Sequence, residues 1–288
     1  MPVAEPRPEL IALLDAVKDH PDDDTPRLVL ADWLDEQDNR FDAERARFIR
    51  RDVARARGGG AGQPVPDQVR RDDDELRARW LAPFKPFITG WSVERGLPHL
   101  AMEGPSFLNP EFQALLPTEA FAFVQFIRLS GAGGPRMEAA VALPGFQYVP
   151  GVSLHPFSAF GADSAARFFS SPNLAGLRQL EFRGIRPGAV GTHALAANPA
   201  LARLRKLLLA HNQLVDKAVG VLAATTHLTN IEVLDLSDNN IGDKGAEALA
   251  ASTAFPNLRE LNLRINPRLT AHGKRPLRDA FGDRVHLD

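Results

Sequence analysis

One triplet of apolar residues recurs along the second two-thirds of this chain and restricts its fold more than any other feature. An apolar residue, two free positions, a second apolar residue, one free position and a third apolar residue stand at Leu204–Leu207–Leu209, Ile231–Leu234–Leu236 and Leu258–Leu261–Leu263, with starts 27 residues apart. Towards the N-terminus the same frame fits Leu177–Leu180–Phe182, Val149–Val152–Leu154, Val124–Ile127–Leu129 and Leu97–Leu100–Met102, at spacings of 27, 28, 25 and 27. Val285 and Leu287 form a shortened last copy, and an asparagine follows the third apolar residue by three at Asn212, Asn239 and Asn266. A fixed period of this length marks a supersecondary unit that cannot close its own core, so the copies must stack. The triplet predicts a short strand and its turn pointing into a shared interior, and the asparagine amide is expected to turn inward and bond the backbone of that turn. Helical stretches follow, as in DKAVGVLAATTHL from Asp216 and DKGAEALAASTAF from Asp243, where Val219 with Leu222 and Ala246 with Leu249 are expected to face inward.

The segments LRKLLLAHNQLVDKAVGVLAA, from Leu204, and IEVLDLSDNNIGDKGAEALAA, residues 231 to 251, resemble the ribonuclease-inhibitor class of leucine-rich repeats. The resemblance extends over residues 97 to 288, with Ala132, Phe157 and Ile185 in place of the asparagine in earlier copies. It implies an α/β solenoid of about seven short parallel strands on the concave face, with helices on the convex face.

Before the array, composition separates a helical region over residues 1–57, a Gly/Pro linker over 58–66 (GGGAGQPVP) and a helical, aromatic connector over 67–96. Glycine and proline disfavour a helix in that linker. Leu10, Ile11, Leu14 and Val17 have helical spacing. Thr25 and Pro26 look like a capped start for a second helix with Val29, Leu30, Trp33 and Leu34 on its apolar face. Phe41, Arg45, Phe48, Ile49 and Val53 predict a third helix, and Leu76, Trp80 and Leu81 a fourth over residues 67–81. The text HPDDDTPRLVLADWLDEQDN (20 to 39) with ERARFIR (44 to 50) resembles a bacterial repeat-companion domain, a short module found in front of repeat arrays. Trp80, Leu81, Phe84, Phe87 and Trp91 are expected to seal the open end of the array as its cap.

The free positions of each copy gather the candidate binding residues on the concave face. They are Phe126, Arg128, His155, Arg178, Arg183, Arg205, Lys206, His211, Asp235, Asp238, Arg259, Asn262 and Arg264. Rigid strands would hold them in register at low ordering cost, and the arginines suit carboxylates and aromatic rings. Glu181, Glu232 and Glu260 interleave with the bases, and a net charge of −2 shows no polyanion preference, so nucleic acid is not the expected partner. The reading is a noncovalent protein-binding scaffold or adaptor, a monomer with one protein partner of unknown identity. A regulator of a small GTPase or other enzyme, and a structural array without a dedicated partner, are the alternatives.

No catalytic, cofactor or metal site is expected. The chain lacks cysteine, which excludes thiolate metal sites, disulfides and cysteine nucleophiles. Asp22–Asp24 fails the calcium-loop pattern, with Arg27 and Trp33 where glycine and glutamate are needed, and reads instead as negative charge before a helix start. Asp32, Asp35 and Glu36 read as a wet helix face, with Asp32 also placed to bond a neighbouring helix. GAGG at 131–134 lacks the lysine and hydroxyl residue of a phosphate loop, and the histidines form no metal-binding pair. The acidic, proline-rich start and the absence of a long apolar run predict a cytoplasmic protein with no membrane contact.

Overall fold

The computed structural model describes residues 6–58, 66–131, 133–155 and 160–288, with only the backbone of His155. Most of the 58–66 linker, Ala132 and Phe157 lie outside the described residues. In chain order the elements are α1 (Pro8–Asp19), α2 (Thr25–Asp35), α3 (Arg40–Arg57), α4 (Asp67–Leu81), β1 (Ile88–Glu94), β2 (Leu97–Glu103), α5 (Gly104–Phe107), α6 (Pro110–Leu115), α7 (Glu119–Ala122) and β3 (Phe126–Ser130). After these come α8 (Gly134–Ala142), β4 (Gly151–His155), α9 (Ala162–Phe169), β5 (Gln179–Phe182), α10 (Gly188–Ala197), β6 (Lys206–Leu208) and α11 (Asp216–Ala223). The last are β7 (Val233–Asp235), α12 (Asp243–Ala250), β8 (Glu260–Asn262), α13 (Ala271–Phe281) and β9 (Val285–His286). Packing groups the chain into two compact units, Met1–Met102 with Asn109–Ile127, and Glu103–Leu108 with Arg128–Asp288. The divisions at residues 57, 66 and 96 follow composition instead.

In the first unit the predicted helices bury Leu10, Leu14 and Val17 of α1, Leu30 and Leu34 of α2, Phe48, Ile49 and Val53 of α3, and Leu76 and Trp80 of α4, with Leu97 and Phe123 in the same core. The inward stripe of α2 is rotated from the expected one: Arg27, Leu30, Ala31 and Leu34 are buried, while Val29 is 48% exposed. The guanidinium of buried Arg27 donates to the Asp23 carbonyl (3.0 Å) and to Gln125 Oε1 (3.3 Å). Thr25 does not cap α2. The Asp23 carboxylate accepts from the Thr25 N–H at 2.8 Å, and Asp32 bonds Arg50 of α3 at 2.8 Å.

Arg45, at an inward position of α3, is likewise buried. Its guanidinium lies over Phe41, Trp80 and Phe123 and bonds Asp42 at 3.1 Å, while Arg7 joins Asp42 (2.7 Å) to Glu119 (2.7 Å). Burial lowers Arg45 to about 10 against the opposing pull of Asp42, so it stays cationic at neutral pH. A charge so deep is tolerable only when paired and hydrogen-bonded.

Where a helical connector was expected up to residue 96, residues 88–94 form β1, antiparallel to β2. The turn between them, Arg95 (φ 49°) and Gly96 (φ 85°), is left-handed at both positions, the geometry that suits the twist of a two-residue hairpin. Gly96 is obligatory on a second count, because a Cβ there would stand 2.8 Å from Ile49 Cα. Trp80, Phe84 and Phe87 are buried in edge-to-face pairs with Phe123, Phe121 and Phe112, but Trp91 stands 46% exposed and outside that cluster.

The second unit is the repeat array. β4 to β9 pair in parallel, each with the next, and the apolar frame is kept in register: Val152 lies opposite Leu180, Leu180 opposite Leu207, Leu207 opposite Leu234 and Leu234 opposite Leu261. Every triplet residue from Leu129 to Leu263 is at most 3% exposed, including the copies without the asparagine, and so are Leu97, Leu100, Met102, Val124 and Ile127 within the first unit. Phe146, Phe160, Phe168, Phe169 and Phe182 pack ring against ring around the earlier copies. Val219, Leu222, Ala246 and Leu249 are buried as expected.

Candidate functional site

Alternation along β5 to β8 points the side chains flanking each buried leucine away from the core, which defines one strand face. Three asparagines fix its turns. Asn239 accepts from the N–H groups of Asn212 (3.0 Å) and Leu214 (2.9 Å) and donates to the carbonyls of Leu209, Leu236 and Ser237. Asn212 and Asn266 repeat the pattern one copy to either side, Asn212 donating to Phe182 O and Asn266 to Leu236 O. Backbone groups that the turn cannot pair within itself are thus satisfied by the next copy.

Just before each asparagine stands a residue in the left-handed region, His211 (φ 60°), Asp238 (φ 51°) and Ile265 (φ 57°), with Gly184 (φ 68°) and Gly131 (φ 64°) at the matching place in earlier copies that lack the asparagine. This row projects its side chains beside the strands. His211 Nδ1 and Asp238 Oδ2 meet there at 2.7 Å, and both side chains are solvent-exposed.

Most of the candidate residues fall on this face. Arg183, His211, Asp238, Arg259 and Arg264 are exposed, and Arg205, Lys206, Asp235 and Asn262 are half-buried; Arg128 is exposed on β3. Two expectations fail. Arg178 is 6% exposed and donates to the Gly176 carbonyl at 2.7 Å, so the backbone of its own turn holds it. Phe126 is 8% exposed and stacks on His99 with ring centroids 5.5 Å apart, which makes it part of the first unit's interior. The side chain of His155 lies outside the described residues.

The charges are arranged in cross-strand and same-strand pairs. Glu232 accepts from Arg205 on one side and lies 3.4 Å from Arg259 on the other. Arg183 pairs with Glu181 at 2.9 Å, and His286 approaches Glu260 at 3.7 Å. Asp235 and Asn262 spend one side-chain oxygen each on the N–H of Ser237 and Arg264. His286 and Ile265 belong to the face but escape sequence inspection: the triplet frame shortens at its last copy, and Ile265 differs in type from the glycine, histidine and aspartate at its register position. Five bases (Arg183, Arg205, Lys206, Arg259 and Arg264) meet five acids (Glu181, Glu232, Asp235, Asp238 and Glu260), which is not a phosphate-tracking stripe.

Among the described residues no group of three or more histidine, aspartate or glutamate side chains could hold a metal ion. Burial raises the Asp24 carboxyl, but Arg57 (2.8 Å) and Arg95 (2.7 Å) outweigh it and hold the group below the usual range. Asp73, 1% exposed, sits between Arg51 and Arg55. Asp24 of the run Asp22–Asp24 and Asp73 of the run Asp72–Asp74 are therefore structural ion-pair centres. Among the described residues no helix is long and apolar enough to cross a membrane.

Residues 227–250, which hold β7 and the whole of α12, match the family model described as a leucine-rich repeat. That stretch matches one leucine-rich repeat and falls on one of the 27-residue copies. It is also similar to a chain in the crystal structure of the Rad7 and Elc1 complex in yeast, at 16% identity and a TM-score of 0.37, over 66% of this chain and 56% of that one. The match thus spans little more than half the length of the solved chain. No curated protein matches this sequence.

Proposed function

We propose that the strand face of β5 to β9 is a noncovalent docking surface for a protein partner, and that the protein acts as a scaffold or adaptor rather than an enzyme. The observation behind this reading is the ordered row of polar and charged side chains, set at the strand spacing and braced by ion pairs such as Arg205–Glu232–Arg259. A surface whose side chains are already placed loses little entropy on binding. Arg259 and Arg264 are both solvent-exposed and are the natural anchors for carboxylates or rings of the partner. The same reading takes the protein to be a cytoplasmic monomer and its N-terminal helices to be the repeat-companion module.

The test is charge reversal of Arg205, Lys206, Arg259 and Arg264 together, with native-cell proteins captured on wild-type and variant chains side by side. The protein enriched on the wild type should be lost from the variant, while the variant's thermal unfolding stays cooperative. Equal capture by a folded variant would exclude this face.

A further inference from the structure

We propose that the open edge of β1 in the first unit is a second docking site, which receives an extended segment of a partner protein as an added strand. Among the described residues β1 pairs only with β2, so along its other side the backbone N–H and C=O groups have no ladder. Sheets ordinarily blunt such an edge with charges or cover it. β1 (ITGWSVE) carries a single charge, Glu94 at its end, and presents a regular run from Gly90 to Glu94 after a bulge at Thr89.

The side chains beside the edge define the occupant. Opposite residues of an antiparallel pair share a face. Ile88 lies opposite Met102 and Trp91 opposite Leu100, both fully buried, so Ile88 and Trp91 belong to the inward side of the hairpin. Yet Trp91 is 46% exposed, because no further strand continues that side. Instead a groove of about 640 Å³ runs between β1 and α4, with Ile88, Trp91, Leu81 and Ala78 as its apolar wall and Asp74, Arg77, Lys85 and Thr89 also lining it. An added strand would hang alternate side chains into this space, where Ile88, Trp91, Leu81 and Ala78 call for apolar ones. Among the lining residues Lys85 is exposed and has no ion-pair partner among the described residues, whereas Arg77 is held by Asp74 at 3.0 Å. The occupant is therefore an extended segment with apolar residues at alternate positions and an acidic residue at the end that reaches Lys85. Main-chain bonds would supply affinity and the groove its sequence preference. This site is separate from the strand face of the repeats and stands or falls independently of it.

The probe is a synthetic octapeptide of alternating valine and threonine with aspartate at both ends, titrated into the full chain by calorimetry. Saturable binding is expected. It should disappear when alternate peptide amides are N-methylated, which removes the donors that would pair with β1 and leaves the protein untouched. Trp91→Ala should weaken it, and Lys85→Glu should shift the preference to the lysine-ended peptide, both with unchanged thermal unfolding. Absence of saturable binding, or binding indifferent to N-methylation and to Trp91→Ala, would overturn the proposal. So would sedimentation showing a dimer of wild type, lost in Trp91→Ala, with no peptide bound, since that would give the edge to a second copy of this chain.

Discussion

The left-handed row shows how one backbone requirement is met by unlike residues. A turn that must pass through φ near +60° costs an L-residue about 1–2 kcal/mol, which glycine avoids and asparagine or aspartate partly offset through local hydrogen bonds. Gly131 and Gly184 meet the requirement without a side chain, and Asp238 gains the His211 contact. Ile265 meets it worst: it is β-branched, left-handed and 71% exposed, so it takes the strain and buries little in return. Replacing Ile265 by Asn should therefore stabilise the protein by about 1 kcal/mol, read as a rise of a few degrees in the unfolding midpoint by calorimetry. An unchanged or lower midpoint would mean that Ile265 is held by packing that its exposure does not reveal.

Between elements, polar side chains tie each copy to the one before it. Ser171, Asn198, Thr225 and Ser252 recur at the 27-residue period, each accepting from the N–H two residues on and donating to a carbonyl of the preceding copy: Val141, Phe169, Ala196 and Ala223 respectively. At the helix starts, Asp216 accepts from the Gly242 N–H at 2.6 Å, and Asp243 accepts from both the N–H (2.8 Å) and the hydroxyl (2.7 Å) of Thr270. The Thr270 bonds hold the Asp243 carboxyl below its ordinary value. A carboxyl depressed in the folded state stabilises above its unfolded value and loses that contribution as the pH falls through the folded one. Asp243→Ala should then unfold at a lower temperature than wild type at pH 7, with the gap closing in acid below the unfolded carboxylate value of about 3.9. A gap independent of pH across calorimetric scans from pH 7 to pH 2 would show that Asp243 acts by packing alone.

For the array as a whole, stability is the sum of copies and of the interfaces between them. Leu234 is fully buried and lies in register between Leu207 and Leu261, so its loss removes core from three copies together. Leu234→Asp places a carboxylate with no partner in that interior, a cost of several kcal/mol. The expected result is loss of amide-exchange protection in β6 and β8 as well as β7, with a lower unfolding temperature. Protection lost in β7 alone, or thermal unfolding like that of wild type, would contradict a shared core.

By itself the sequence determined the period, the strand frame and the inward asparagines, because a side chain that must be buried in every copy has to recur at every copy. It also placed the four N-terminal helices and most of the strand face. Tertiary structure alone decided what depends on neighbours distant in the chain. Arg178 and Phe126 occupy outward-looking positions of the frame but are covered by a local turn and by His99. Arg27 and Arg45 have charged side chains but lie inward, because Gln125 and the Asp23 carbonyl bond one, while Asp42 and three aromatic rings hold the other. The β1–β2 hairpin escaped notice for the same reason: the short turn that makes it needs Gly96 against Ile49 of α3, a contact no local pattern records.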